Sequence, residues 1–217
     1  MIDIEEVTPP DDQAWRGVLD LYEAKLNQRV LHDALDPIVE KCIKAAVAVC
    51  DYSSGDLGIS VLRRTFDFHR QGWPTRCADD GWRVIRLPYP PCVTVTSVSY
   101  LDANGATQTL SPTAYTVRKP SRVPAEIVFL KPAELPTLTS HPRAVTVRYV
   151  AGYGTAPLFK APENLRQLVS MYAGHFFENP EATVNEPRLI MMNRAVDFGV
   201  QFLAKQLRVP HEYRDWD

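Results

Sequence analysis

The stretch Arg86-Leu87-Pro88-Tyr89-Pro90-Pro91, running into Val93–Tyr100 and the turn Asp102-Ala103-Asn104-Gly105, decides how the rest of the chain is read. Three prolines fix φ and remove three backbone donors, so this lead-in cannot be helical and is expected to be extended. The Val-, Thr- and Tyr-rich run that follows has the composition of a strand. Val93 and Val95 alternate on one face, but the next apolar pair is Val98 and Tyr100. A step of three flips the apolar face, which predicts a bulge near Thr96-Ser97 or a sheet covered on both sides. Asn104-Gly105 supplies the positive φ of a tight hairpin turn, and strand-like residues resume at Thr107.

Working outward, the chain before this stretch reads mostly helical and the chain after Gly154 reads helical again. An N-terminal helix is expected from a cap at Asp11 or Asp12, burying Trp15, Val18, Leu19, Tyr22 and Leu26. Gly17 weakens its first part, leaving Asp20 to Val30 as the firmer half. Asp36-Pro37 starts a second helix that runs to about Asp51. It carries two apolar stripes, Ile38/Cys42/Ala46/Val49 and Val39/Ile43/Val47, so burial over most of its girth is expected. A strand follows at Ser60–Phe68. Further strands are expected at Arg83–Leu87, Val93–Leu101, Ala106–Leu110, Tyr115–Arg118, Glu126–Leu130 and Ala144–Val150, separated by proline and serine turns. Ile127-Val128-Phe129-Leu130 is apolar on both faces and reads as a central strand.

A third helix begins at Pro162 and is expected to bury Leu165, Leu168, Val169, Tyr172 and Phe176. A fourth, Met191 to Leu207, aligns Met192, Ala195, Val196, Gly199, Phe202 and Leu203, while Phe198 and Leu207 fall off that line. The tail places Tyr213 and Trp216 among charges. The fold class is α+β: a helical core of about four helices with an inserted, mainly antiparallel β unit. The expected divisions are 1–82, 83–154 and 155–217, the middle one being the insert.

Composition narrows function. The 217 residues carry 24 basic and 26 acidic side chains, a formal net charge of -2. That argues against a uniformly basic grip on nucleic acid, though not against letting nucleic acid pass. No apolar run approaches a membrane span of roughly 20 residues. The first six residues lack a basic region followed by an apolar core, so no secretory signal is expected. Cys42, Cys50, Cys77 and Cys92 show no Cys-x-x-Cys spacing and read as small buried apolar groups, with neither a disulfide nor a metal site expected.

No catalytic constellation stands out. Gly152-Tyr153-Gly154 lies between a strand and a helix, but lacks the third glycine and any following Lys-Ser/Thr, so a reversing turn is the better reading than a phosphate loop. His175 reads as a packed core or interface histidine. The pairs Asp11-Asp12 and Asp79-Asp80 diverge, and Arg63-Arg64 point to opposite sides of a strand. No enzyme activity and no cofactor are expected.

Several blocks together resemble the head–tail adaptor (connector, or head completion) proteins of long-tailed bacteriophages and phage-like particles. They are Asp20-Leu21-Tyr22-Glu23-Ala24-Lys25-Leu26, the helix from Asp36 to Cys50, Arg64-Thr65-Phe66-Asp67-Phe68 and Ile85 to Pro91. To these are added Val95 to Asp102, Val147 to Gly154, and Leu165 to Asn179 with its His175-Phe176-Phe177-Glu178-Asn179. The series spans about residues 20 to 180; the N-terminal lead, the last helix and the tail are longer than that pattern. The resemblance implies a structural protein of the virion neck, assembled in the bacterial cytoplasm as a ring of twelve copies beneath the portal. Such a ring extends the channel for double-stranded DNA without binding it specifically, docks the next neck or tail protein, and has no membrane partner and no active site. On this reading Phe198, Leu207, Tyr213 and Trp216 form a portal-docking arm. Two competing classes are a carbohydrate- or peptide-binding β module on a helical stalk, using Tyr89, Tyr100 and Tyr115, and an enzyme using the β unit as a substrate platform.

Overall fold

The computed structural model describes residues 3–52, 57–75, 82–119, 124–130, 134–154, 160–180 and 199–210. The chain divides into two compact units. One, the β unit, comprises Met1–Pro10, Arg63–Gly152 and Val209–Asp217; the other, the helical unit, comprises Asp11–Leu62 and Tyr153–Arg208. The fold is α+β, with antiparallel sheets. Besides residues from the expected 83–154 span, the β unit takes in two strands from earlier in the chain, β1 (Asp3–Thr8) and β2 (Arg64–Arg70).

The remaining strands are β3 (Val84–Arg86), β4 (Cys92–Leu101), β5 (Thr107–Thr109), β6 (Tyr115–Arg118), β7 (Glu126–Phe129) and β8 (Val145–Ala151). They form a five-stranded sheet, β1-β2-β8-β4-β5, and a three-stranded sheet, β3-β7-β6. Every pairing between these eight strands is antiparallel. Strand β7 is central in the smaller sheet, as its two-sided apolar sequence predicts, and Ile127, Val128 and Phe129 are all buried, whereas Leu130, expected in the same strand, lies beyond its end and is exposed.

The expected bulge is present. Along the β4–β8 ladder Val95 faces Tyr149 and Val98 faces Val147, with the register slipping between Val95 and Ser97. The extra residue keeps both valines opposite buried partners on β8 despite their spacing of three. A second slip occurs between Cys92 and Thr94. The hairpin turn also forms: Gly105 has φ +80°, and the Asp102 carboxylate accepts from the Ala106 and Asn104 amides at 3.0 and 2.9 Å. Those donors hold its pKa below the usual carboxylate range, Ala106 contributing most.

The lead-in is less regular than an extended segment. Tyr89 has φ +53° and the Pro90–Pro91 bond is cis. The detour is anchored where the Tyr149 hydroxyl donates to the Pro88 carbonyl at 2.7 Å, and where the Phe66 and Tyr89 rings meet at 5.9 Å. Trp73 ties the two sheets together. Its ring lies 5.7 Å from Tyr100 on β4 and 5.5 Å from Phe129 on β7, and its Nε1 donates to the Pro136 carbonyl at 2.8 Å.

In the helical unit, the expected helix from Asp11 is divided. A 3-10 turn at Ala14–Gly17 precedes α1 (Leu21–Asn27), whose N-cap is Asp20, accepting from the Tyr22 amide at 2.8 Å. This break at Gly17 changes the register of the apolar stripe. Trp15, Val18 and Leu19 are buried as expected, but in α1 the buried residue is Ala24, while Tyr22 and Leu26 face outward. Helix α2 (Asp36–Cys50) buries Val39, Cys42, Ile43, Ala46, Val47 and Cys50. Its Ile38 and Val49 are exposed, so the helix is covered on one broad face rather than around most of its girth. Asp51 closes its end, accepting from the Val61 amide at 2.6 Å.

Helix α3 (Glu163–Glu178) buries Leu165, Leu168, Val169 and Ala173, while Tyr172 and Phe176 are only half-buried and stack on each other at 6.3 Å. Arg166 fastens α3 to the N-terminal segment: it donates to the Val18 carbonyl at 3.2 Å and pairs with Glu163 and Glu23. Of the expected fourth helix, 199–207 is described as helical and is termed α4. Its Gly199 packs on α3 so closely that a Cβ there would lie 3.0 Å from Met171 Cε.

Candidate interaction surfaces

Because side chains alternate across a strand, the register of the large sheet sorts its residues into two faces. One carries Phe66 and Phe68 of β2 with Val145, Val147 and Tyr149 of β8, all buried. The other carries Asp67, His69, Thr146 and Arg148, continued by Ser97 and Ser99 of β4 and by Asp3 and Glu5 of β1. This polar face is charged but internally neutralised. Arg148 grips Asp67 through two bonds, at 2.8 and 2.7 Å, which raises the arginine pKa further above its ordinary value. Arg143 grips Asp3 in the same two-pronged way, both bonds 2.8 Å, and reaches Glu5 at 3.3 Å. His69 Nδ1 lies 3.0 Å from the Thr146 hydroxyl. A face of hydroxyls and paired charges offers little free positive charge to phosphate.

The second surface belongs to the helical unit and is apolar. Tyr22 and Leu26, one turn apart on α1, are 70% and 53% exposed, and Leu31 just beyond is 91% exposed. On α2, Ile38 and Val49 are 50% and 39% exposed and lie on the same side, three turns apart. Phe202 on α4 is 56% exposed. Scattered exposed leucines need no explanation. Pairs at helical spacing on two successive helices form stripes, and stripes mark contact surfaces.

The residues singled out from sequence fall unevenly. Leu207 is half-buried near the end of α4, whereas Phe198, Tyr213 and Trp216 lie outside the described residues. Phe202, placed from sequence on the core-facing side, is instead the large exposed aromatic of α4. His175 is exposed on the last turn of α3, with its carbonyl accepting from Asn179; it is not a core residue. Tyr89, Tyr100 and Tyr115, the platform a ligand-binding module would use, are half-buried; Tyr89 and Tyr100 pack on Phe66 and Trp73. Cys42, Cys50 and Cys92 are free and buried, and burial pushes the Cys50 and Cys92 thiols up to about 12 and about 11. Cys77 and Asp79-Asp80 lie outside the described residues. Among the described residues, no three His, Cys, Asp or Glu side chains converge as a metal site requires, and no helix is long and apolar enough to cross a membrane. The sequence marked the α1 and α2 apolar positions but assigned them to the core, because an apolar helix face reads the same whether its partner is in the chain or outside it.

No known family profile matches the chain, and no curated protein matches it by sequence. Solved structures do match its fold. A chain in the neck of an empty GTA particle computed with C6 symmetry superposes with a TM-score of 0.69 at 20% identity, covering 96% of each chain. A chain of the virion of a native gene transfer agent (GTA) particle gives 0.68 at 22% identity, again with 96% of each chain covered. A chain in the neck of a native GTA particle computed with C12 symmetry gives 0.62 at 20% identity, covering 97% of this chain and 96% of the other. At such identities the likeness establishes a shared fold across nearly the whole chain.

Proposed function

We propose that this protein is a structural head–tail adaptor of a tailed phage or phage-like neck. It forms a ring below the portal, extends the DNA channel and docks the next neck or tail protein. The observation that carries the reading is the end-to-end fold likeness to chains of GTA neck assemblies, over 96% of both chains in two of three cases. Two features of the molecule support it. A head-to-tail ring needs two different contact faces per subunit, and the helical unit exposes apolar stripes on α1 and α2 that its own core does not use. A passage for DNA must avoid tight phosphate contacts, and the polar sheet face consists of paired charges and hydroxyls.

Twelve copies remain the proposed ring size, and Phe198, Leu207, Tyr213 and Trp216 the proposed portal-docking arm. Exposed Phe202, on the same helix as Leu207, adds an aromatic anchor of the kind that dominates interface energies. Native mass spectrometry of the chain alone and mixed with portal tests the reading: rings, or a ring seated on the portal, are expected. A monomer that leaves the portal bare at every concentration overturns it. Deleting residues from His211 onward tests the arm. The truncated chain should keep its melting temperature and fail to attach to portal-bearing heads; unfolding of the monomer while a soluble fraction still attaches defeats that assignment.

A further inference from the structure

Strand β1 is an outer strand of the large sheet, held to β2 by an antiparallel ladder and by ion pairs to its acidic side chains. Its sequence, Asp3-Ile4-Glu5-Glu6-Val7-Thr8, offers two large apolar side chains, and Val7, where the register slips, is 41% exposed. Two arginines meet the three acids, and a histidine lies nearby. Arg143, in the turn before β8, holds Asp3 and Glu5; Arg64 on β2, itself 7% exposed, reaches Glu6 at 3.1 Å; His69 Nε2 lies 3.8 Å from Glu5. The pairs made by Arg143 are exposed, and such pairs are individually weak and screened by salt. Behind the strand, the rim of β2 is an unpaired hydrogen-bonding edge whenever β1 leaves. Pro9 and Pro10 follow directly, with φ fixed at both, and restrict how the strand folds back on its own chain.

We infer that the β2 edge is a receptor for an acidic extended strand, and that on self-association residues 3–8 of a second copy occupy it. The charge pattern selects this occupant. An incoming strand must present carboxylates at three positions matched to Arg143, which takes two, and Arg64, which takes the third, and a second copy does so by construction. The ladder and ion pairs are the same within a chain or between chains, so exchange costs little once copies are held together. This inference requires only self-association and does not depend on the portal or the neck.

Thr8 and Thr65 are facing partners in the β1–β2 ladder, a separation a disulfide spans. A Thr8→Cys chain mixed with a Thr65→Cys chain, allowed to associate and then oxidised, can form the Thr8–Thr65 link only through an exchanged strand. A disulfide-linked heterodimer is expected, absent when either variant is oxidised alone. Arg143→Ala in both chains should speed its appearance several-fold, and added salt should act in the same direction. The Thr8→Cys/Thr65→Cys double variant confirms the ladder by linking within one chain when dilute. If the double variant links within the chain while the mixture yields no heterodimer above the single-variant controls, the strand stays at home and the inference is overturned.

Discussion

The β unit and the helical unit solve the burial problem differently. The β unit places large aromatic and branched side chains inside: Phe66, Phe129, Tyr149, Ile85 and Ile127 are all fully buried. Its buried Tyr149 hydroxyl is satisfied by the Pro88 carbonyl. Its outer polar face is neutralised by its own arginines. The helical unit builds its core from Val39, Ile43, Val47, Leu165, Leu168 and Val169. It leaves Tyr22, Leu26, Leu31, Ile38, Val49 and Phe202 exposed. The difference separates stability from assembly. Damage to the β unit should act on folding, whereas damage to the exposed helical stripes should act on association.

The comparison breaks first, if it breaks, at Phe129. This ring is fully buried against Trp73, and Phe129→Ala should cost about 3–5 kcal/mol of unfolding free energy in urea titrations. A smaller loss follows from Tyr149→Phe. Removing the hydroxyl orphans the Pro88 carbonyl in a buried site, at a cost of about 1–3 kcal/mol on the same measurement. A loss below about 0.5 kcal/mol in either case contradicts a self-sufficient β core.

Alkali should weaken both units, and the thiols allow them to be compared. Cys50 closes α2 and Cys92 opens β4, and burial raises both pKa values, to about 12 and about 11 from an ordinary 9.0. The neutral thiol is the form the fold accepts. Their stabilising effect is therefore fully present below about pH 9 and is lost as pH rises through the folded values. Chemical denaturation from pH 9, the ordinary thiol value, to pH 11 should show this decline, and serine at either position should reduce it. The rate at which each thiol reacts with a disulfide reagent near neutral pH then reports how often its own unit opens.

The smallest effect on stability belongs to the exposed stripe. Tyr22→Ser with Leu26→Ser should leave unfolding free energy within about 0.5 kcal/mol of the unaltered chain. Sedimentation of the same variant should show weakened self-association. A double variant that unfolds easily while associating normally would erase the contrast between the two units.

Much of the fold was legible locally. The three-residue step from Val95 to Val98 forces a bulge in any sheet that keeps both valines on one face, and the bulge is there. Asp102 and Gly105 specify a hairpin by short-range hydrogen bonding and positive φ, and Ile127-Val128-Phe129 announces a central strand by being apolar throughout. The helix starting at Asp36 and the break at Gly17 follow from φ restriction and backbone entropy, both properties of a few consecutive residues.

Tertiary structure alone decided the rest. Asp3-Ile4-Glu5-Glu6 has poor strand propensity and reads as an acidic lead; it becomes β1 because Arg64 and Arg143, 58 and 140 residues away from their partners, supply the opposing charges. Tyr22 and Leu26 carry the period of a buried helix face, yet a break four residues before α1 turns them outward. Periodicity records which residues share a face, but which face is covered depends on what packs against it. For α2 the sequence marks two apolar stripes and the fold covers one broad face, leaving Ile38 and Val49 exposed. The arrangement of strands, with β8 joining β2 to β4, likewise rests on contacts between segments far apart in the chain.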